Sequence, residues 1–320
     1  MLYSRIISTG SYLPEKILSN QDLERIVDTS DEWITSRSGI KERHIIAIDE
    51  STIDMAYKAS IDALKNSNLN KNDIDLIIVA TFTSNIICPS VACTLQKRLE
   101  ITNNIPAFDL QAACSGFIYA LTTADCYIKN NMAKTILVVG VDAMSNIINY
   151  NDRNTCILFG DGAGAVILQS SHEAGIIGSE IYADGTGDIS LNVNGGIRGG
   201  KIVGSPYLYQ DGKTVFKMAV KNLTAVASTL LNKTGYKKEQ IDWLIPHQAN
   251  IRIIEAAAKT LSIPIDKVIV TLEKHGNTSA ASVPLALDYG VKSNKIKRGD
   301  ILMLEGVGAG FTWGANLIRY

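Results

Sequence analysis

The sequence predicts a layered α/β fold assembled from two similar halves, and three observations carry that prediction. Strand-like runs at 76–80, 136–140, 165–168, 268–270 and 301–304 alternate with helical patterns, the signature of an α/β protein. The runs are continuously apolar, as in Leu76-Ile77-Ile78-Val79-Ala80, so both sheet faces must be covered by helices. Asp73-Ile74-Asp75-Leu76-Ile77 also recurs as Gln240-Ile241-Asp242-Trp243-Leu244, and Thr135-Ile136-Leu137-Val138 as Asp300-Ile301-Leu302-Met303, a repeat of domain size.

The 320 residues are 46% hydrophobic and 20% charged, enough for a sizeable buried core. A net charge of −1 offers no global attraction for nucleic acid or an anionic membrane, so neither is an expected partner. No stretch approaches the roughly 18 apolar residues of a membrane span, and Met1-Leu2-Tyr3-Ser4-Arg5-Ile6 does not open a secretory leader, which predicts a cytoplasmic protein. Five cysteines, Cys88, Cys93, Cys114, Cys126 and Cys156, without a Cys-x-x-Cys or histidine-spaced pair, argue against disulfides and structural zinc.

The halves divide near Ser170–Gly175, giving units 1–171 and 172–320. Each closes on a glycine-rich run, Phe159-Gly160-Asp161-Gly162-Ala163-Gly164 and Gly306-Val307-Gly308-Ala309-Gly310. Both are expected to form hairpin turns, since neither opens a helix as a dinucleotide loop would. Residues 184–209, rich in Gly, Asn and Asp, predict an ordered surface insertion.

Three polar residues stand where ligands gather in such folds. Cys114 follows an apolar strand and opens a helix in Ala112-Ala113-Cys114-Ser115-Gly116-Phe117, where the helix terminus favours thiolate and the small neighbours admit a substrate. His247 lies at a strand-to-helix junction in Pro246-His247-Gln248-Ala249-Asn250, before a helix whose buried face is marked by Ile251, Ile254, Ala258 and Leu261. Asn277 occupies what reads as a similar junction in His275-Gly276-Asn277-Thr278-Ser279. Folding the halves together would unite the three. Cysteine, histidine and asparagine serve either acyl transfer through a thioester or thiol-protease hydrolysis.

With these motifs, and with Gly310-Phe311-Thr312-Trp313-Gly314, the chain closely resembles the β-ketoacyl-acyl-carrier-protein synthase III family over nearly its whole length. The resemblance implies the thiolase fold, two similar halves in a layered αβαβα arrangement. It implies an acyltransferase that starts fatty-acid synthesis by decarboxylative condensation of an acyl-CoA, acetyl-CoA by default, with malonyl-acyl-carrier protein. Cys114 would carry the acyl group, His247 and Asn277 would receive the malonyl thioester, and the backbone N–H groups of Cys114 and Ala309 would hold the oxyanion. Trp33 and Arg153 would sandwich the CoA adenine, Arg37 would meet its phosphates, and Lys217 and Arg252 would meet the acidic carrier protein. A homodimer is implied, and no metal or other cofactor.

Two positions depart from the family pattern. Val307 replaces a common phenylalanine, leaving the decarboxylation pocket looser, and Cys88 stands where short-chain-specific members place a bulky aromatic near the acyl pocket across the dimer interface. The primer's length and branching therefore stay open. Neighbouring chemistries fit less well. A degradative thiolase needs a second cysteine near the C-terminus, where none follows Cys156; elongating synthases pair cysteine with two histidines. Plant-type polyketide synthases share the three residues in longer chains, a papain-like protease lacks the duplication, and an inert scaffold has no need of the thiol.

Overall fold

The computed structural model describes residues 2–320. The nine strands of its two main sheets are numbered β1 (Tyr3–Tyr12), β2 (Leu76–Ala80), β3 (Ala107–Leu110), β4 (Thr135–Ala143), β5 (Asp161–Ser171), β6 (Ile176–Ala183), β7 (Trp243–Pro246), β8 (Ile301–Gly308) and β9 (Thr312–Arg319). Five longer helices cover them: α1 (Thr52–Lys65), α2 (Gly116–Lys129), α3 (Gly212–Thr234), α4 (Ile251–Leu261) and α5 (Ser282–Lys292).

The first sheet runs β1-β5-β4-β2-β3 and the second β7-β8-β9-β6. In each, a parallel pair (β2 with β4, β7 with β8) is followed by an antiparallel return strand (β5, β9) and then a second antiparallel partner (β1, β6). Among the described residues, the second sheet has no full counterpart of β3. The predicted strand 268–270 reduces to a single bridge, Leu244 with Val268.

The apolar strands need cover on both faces, and alternate side chains find it in different layers. Leu76, Ile78 and Ala80 face a central layer in which Phe117, Leu121 and Ala124 of α2 and Val283, Ala286 and Leu287 of α5 also meet Leu302 and Leu304 of the second sheet. Ile77 and Val79 point the other way, onto Met55, Ala59 and Ala63 of α1. The outer face of the second sheet packs Met303 and Leu317 against Val226 and Leu230 of α3 and Ile254 and Ala258 of α4. The stack is thus α1, sheet, α2 with α5, sheet, α3 with α4, the predicted αβαβα order. Each fully buried aromatic or aliphatic side chain contributes about 1.5–3 kcal/mol, and the shared central layer ties the sheets together.

Local signals start these helices. Ser51 and Asp54 form a reciprocal capping box at α1, and the Asn250 side chain accepts from Arg252 N at the start of α4. Among the described residues, no helix is long and apolar enough to cross a membrane.

The first glycine-rich run differs from the expected turn. Gly162 and Gly164 lie inside β5, both paired to β4 and Gly164 also to β1. The physical reason is approach, because a Cβ on Gly164 would sit 2.7 Å from Pro284 Cβ of α5. The second run does turn, with Gly308 facing Thr312 at the β8–β9 hairpin.

Gly140 on β4 shows the same closeness: a Cβ there would lie 2.4 Å from the Ala280 carbonyl oxygen, which a rigid backbone cannot relieve by rotating a side chain. Gly140→Ala should cost about 1–3 kcal/mol by overpacking, whereas Gly185→Ala, with nothing within 4 Å, should stay within about 0.5 kcal/mol. Urea denaturation of the two variants checks this, and equal midpoints would contradict it.

Glu305 on β8 is fully buried, and neither carboxyl oxygen has a hydrogen-bond partner among the described residues. Burial pushes its carboxyl from 4.5 up to about 8. The folded chain therefore holds one proton more than the unfolded chain between those values, so this group's contribution to stability falls as pH rises through the window. The slope should approach ~1.4 kcal/mol per pH unit and vanish in Glu305→Gln. Denaturation curves near pH 5 and near pH 8 measure it, and identical pH dependence in both proteins would refute the buried-acid reading.

Candidate active site

Cys114 sits in a short 3-10 turn, Ala113–Ser115, between β3 and α2. Ala113 adopts φ +46, which swings the chain sharply from strand to helix. β8 presses against this turn, and a Cβ on Gly308 would lie 2.7 Å from Cys114 N. Only glycine leaves room for that contact. It helps hold the cysteine at 8% exposure.

The expected thiolate does not follow. The helix terminus lies beside Cys114, yet burial, helped by the nearby Asp142 carboxyl, pushes the thiol up to about 12 against the Ser279 hydrogen bond. Among the described residues its one hydrogen-bonding side-chain partner is the Ser279 hydroxyl, 3.3 Å from Sγ. At neutral pH the resting group is a thiol.

His247 follows β7, and its N–H donates to the Glu305 carbonyl at 2.8 Å, so the second sheet fixes its backbone. The ring is buried, and Nδ1 lies 2.6 Å from the Ser282 hydroxyl at the start of α5. Burial lowers it to about 4, leaving imidazole neutral at physiological pH. Asn277 is not at a strand end as its motif suggested; it follows the short helix Leu272–His275 and forms a single parallel bridge with Phe159. Its main chain bonds Leu158 O and Gly160 N, which ties it to the first half. Its Oδ1 accepts from Ser279 N at 2.9 Å, so the amide is oriented with Nδ2 left as donor.

Cys114, His247 and Asn277 line one cavity of about 1130 Å³. Val307, Gly308 and Ala309 border it too, and Ala309 N–H has no acceptor among the described residues. Val307 packs with Ala219, Leu223, Ile253 and Ala257. Trp33, Arg37 and Arg252 belong to the same lining, with both arginines exposed. The Arg153 guanidinium lies 4.9 Å over the Trp33 ring and donates to Asp28 O at 2.9 Å. A base stacked between them requires Arg153 to leave Asp28 and swing outward. Lys217 is exposed on α3, one residue past Phe216, over whose ring Arg252 lies at 5.7 Å. Cys88 does not line the cavity; it is exposed beside Ile87, which is 85% exposed.

Several site residues escaped the sequence reading. Ser279 and Ser282 lie within or just after the asparagine motif, and their hydroxyls hold Cys114 and His247. Asp142, the one charged residue in the apolar run of β4, is fully buried behind them. The 184–209 insertion is more than surface: Leu191, Val193 and Leu208 wall the cavity. Its two short hairpins pair Leu191–Val193 with Leu208–Gln210 and Gly196–Arg198 with Lys201–Val203. Among the described residues, no group of three His, Cys, Asp or Glu side chains is placed to hold a metal ion.

Comparison with known proteins is consistent along the chain. Residues 108–185 match the family model for 3-oxoacyl-(acyl-carrier-protein) synthase III, and residues 231–320 match the model for that enzyme's C-terminal part. β-Ketoacyl-(acyl-carrier-protein) synthase III of Neisseria gonorrhoeae strain NCCP11945 is 57% identical, covering 100% of both chains. That of Xanthomonas euvesicatoria pv. vesicatoria is 52% identical, over 100% of this chain and 99% of the relative. The crystal structure of the Aquifex aeolicus enzyme superposes with a TM-score of 0.94 at 46% identity, over 99% of this chain and 100% of that one. With the thiolase-type layers, the Cys-His-Asn cavity and full-length identity above one half all in agreement, the chain belongs to the β-ketoacyl-acyl-carrier-protein synthase III family.

Proposed function

We propose that this chain starts fatty-acid synthesis by condensing an acyl-CoA with malonyl-acyl-carrier protein, releasing CoA and CO2 and giving 3-oxoacyl-acyl-carrier protein. The observation that carries the reading is the meeting of Cys114 with His247 and Asn277 in one cavity between two sheets. The units 1–171 and 172–320 are the two halves that supply them.

Cys114 Sγ attacks the acyl-CoA carbonyl, and the tetrahedral oxyanion sits between the N–H groups of Cys114 and Ala309. Departure of CoA leaves a thioester on Cys114. The malonyl thioester then occupies the His247 and Asn277 side. Its carboxylate leaves as CO2, and charge develops on the thioester oxygen. Two neutral donors suit that oxygen: Asn277 Nδ2, whose orientation is set by the Ser279 contact, and His247 Nε2–H, the tautomer that follows when Ser282 donates to Nδ1. A histidine that stays neutral down to about pH 4 keeps this arrangement throughout the physiological range. The enolate carbon attacks the acyl-Cys114 carbonyl and frees the thiol.

At the mouth, Trp33 and Arg153 take the adenine and Arg37 the phosphates, while Lys217 and Arg252 meet the acidic carrier protein. Val307 and, from a dimer partner, Cys88 shape the acyl pocket, with acetyl as the default primer. The protein works in the cytoplasm as a homodimer.

Intact-mass measurement with acetyl-CoA should show one acetyl adduct, mapped to Cys114 and absent in Cys114→Ser. His247→Ala and Asn277→Ala should still form the adduct yet lose condensation by on the order of 100-fold or more. An adduct on another cysteine, or normal condensation by the Asn277 variant, would overturn the assignment.

A further inference from the structure

The condensation begins with a buried thiol at about 12, and its proton must go somewhere when sulfur attacks. His247 is engaged elsewhere, with Nδ1 on Ser282 and its other nitrogen assigned above to the malonyl oxygen. The group that touches Sγ is Ser279 Oγ, at 3.3 Å and fully buried. Its backbone is held at φ +50, and its N–H is fixed on Asn277 Oδ1, so the hydroxyl is aimed by the surrounding chain.

Behind Ser279 stands Asp142. Its Oδ1 accepts from Thr81 Oγ1 at 3.1 Å, Phe82 N at 3.1 Å and Thr83 Oγ1 at 2.8 Å, and its Oδ2 from Ala280 N at 3.1 Å. All four donors are neutral, and burial raises this carboxyl above the ordinary range. Ala280, whose N–H reaches Oδ2, is the residue after Ser279, so the carboxylate stands beside the serine, which holds both this carboxyl and the Cys114 thiol lower than burial alone would. One hydroxyl carries one proton and serves one acceptor at a time. Here the hydrogen bond runs to Sγ, and a relay requires the hydroxyl proton to turn toward Asp142.

We propose that Asp142, acting through Ser279, takes up the Cys114 proton during acylation and holds it for the lifetime of the acyl-enzyme. This rests on the function proposed above. The S–H bond breaks and its proton passes to Ser279 Oγ as the serine's own proton passes to an Asp142 oxygen. The sulfur lone pair makes the new C–S bond, and the bond to CoA breaks with its pair on the CoA sulfur, which takes a proton from solvent. In condensation the acyl–Cys114 bond breaks with its pair on Sγ, and the stored proton returns by the same route. The one proton consumed overall is the one CoA gains, which balances the carboxylate lost as CO2. Asp142 is a proton store one residue removed from the reacting atoms, and a carboxyl whose proton affinity is raised suits that task.

The test combines infrared difference spectroscopy of the acyl-enzyme against free enzyme with single-turnover acylation by acetyl-CoA, followed by intact mass. The relay predicts a protonated-carboxyl band that appears on acylation and is absent in Asp142→Asn. It also predicts that Ser279→Ala, which removes only Oγ and keeps the carboxylate with its four donors, acylates Cys114 on the order of 100-fold more slowly and shows no new band. Should Asp142→Asn fail to fold, Ser279→Ala alone decides. A wild-type acyl-enzyme without the band, a carboxyl already protonated in free enzyme, or unimpaired acylation by Ser279→Ala would overturn the relay and leave the condensation standing. Absence of any adduct on wild-type Cys114 would overturn both.

Discussion

The withdrawal of Cys114 from water is the constraint on which the rest of this site depends. It is achieved by main chain: Gly308 of β8 lies against the cysteine turn so closely that a Cβ would come within 2.7 Å of Cys114 N. Raising the thiol from 9.0 to about 12 means that the ionised form is disfavoured by roughly 4 kcal/mol, more than a helix terminus ordinarily returns. The same dryness lowers His247 to about 4 and raises Glu305 to about 8. Three groups that titrate in water thus rest in their neutral forms at neutral pH. In the mechanism proposed above, protons therefore move between fixed partners, and the hydroxyls of Ser279 and Ser282 are the groups that touch Cys114 and His247.

Duplication explains why such a site exists at the middle of the molecule. Each half contributes a sheet with parallel strands followed by an antiparallel return, and α2 and α5 fill the layer between them. The two central helices begin beside the site, α2 just after Cys114 and α5 at Ser282. Small residues permit the approach. Gly140 admits the Ala280 carbonyl, Gly164 admits Pro284, and Gly308 admits Cys114, so backbones from the two halves touch where side chains would separate them.

Much of this was legible in the sequence because it obeys local rules. Continuous apolar runs announced β2, β4 and β8, and the echo between 73–77 and 240–244 announced the duplication. Cys114, His247 and Asn277 could be singled out as polar residues in small-residue motifs at element ends. Other features depend on long-range contact that no window reveals. The glycines 162 and 164 looked like a turn because their need for space comes from α5, more than a hundred residues away. The run 268–270 looked like a strand, yet the second sheet gives it only one bridge. The favoured thiolate was a local inference from the helix start, and burial by β8 reversed it. Asp142 carried one readable sign, a lone carboxylate in a strand covered on both faces, which has to be hydrogen-bonded or functional.

The most direct test of a dry, neutral nucleophile is the pH dependence of Cys114 alkylation in the free protein, followed by peptide mass spectrometry so that Cys88, Cys93, Cys126 and Cys156 are counted separately. If desolvation governs the site, modification at Cys114 rises only above about pH 10, later than for free cysteine in solution, which ionises at about 8.5. A Cys114 thiolate already half formed near neutral pH would contradict the account and return control of the nucleophile to the helix terminus.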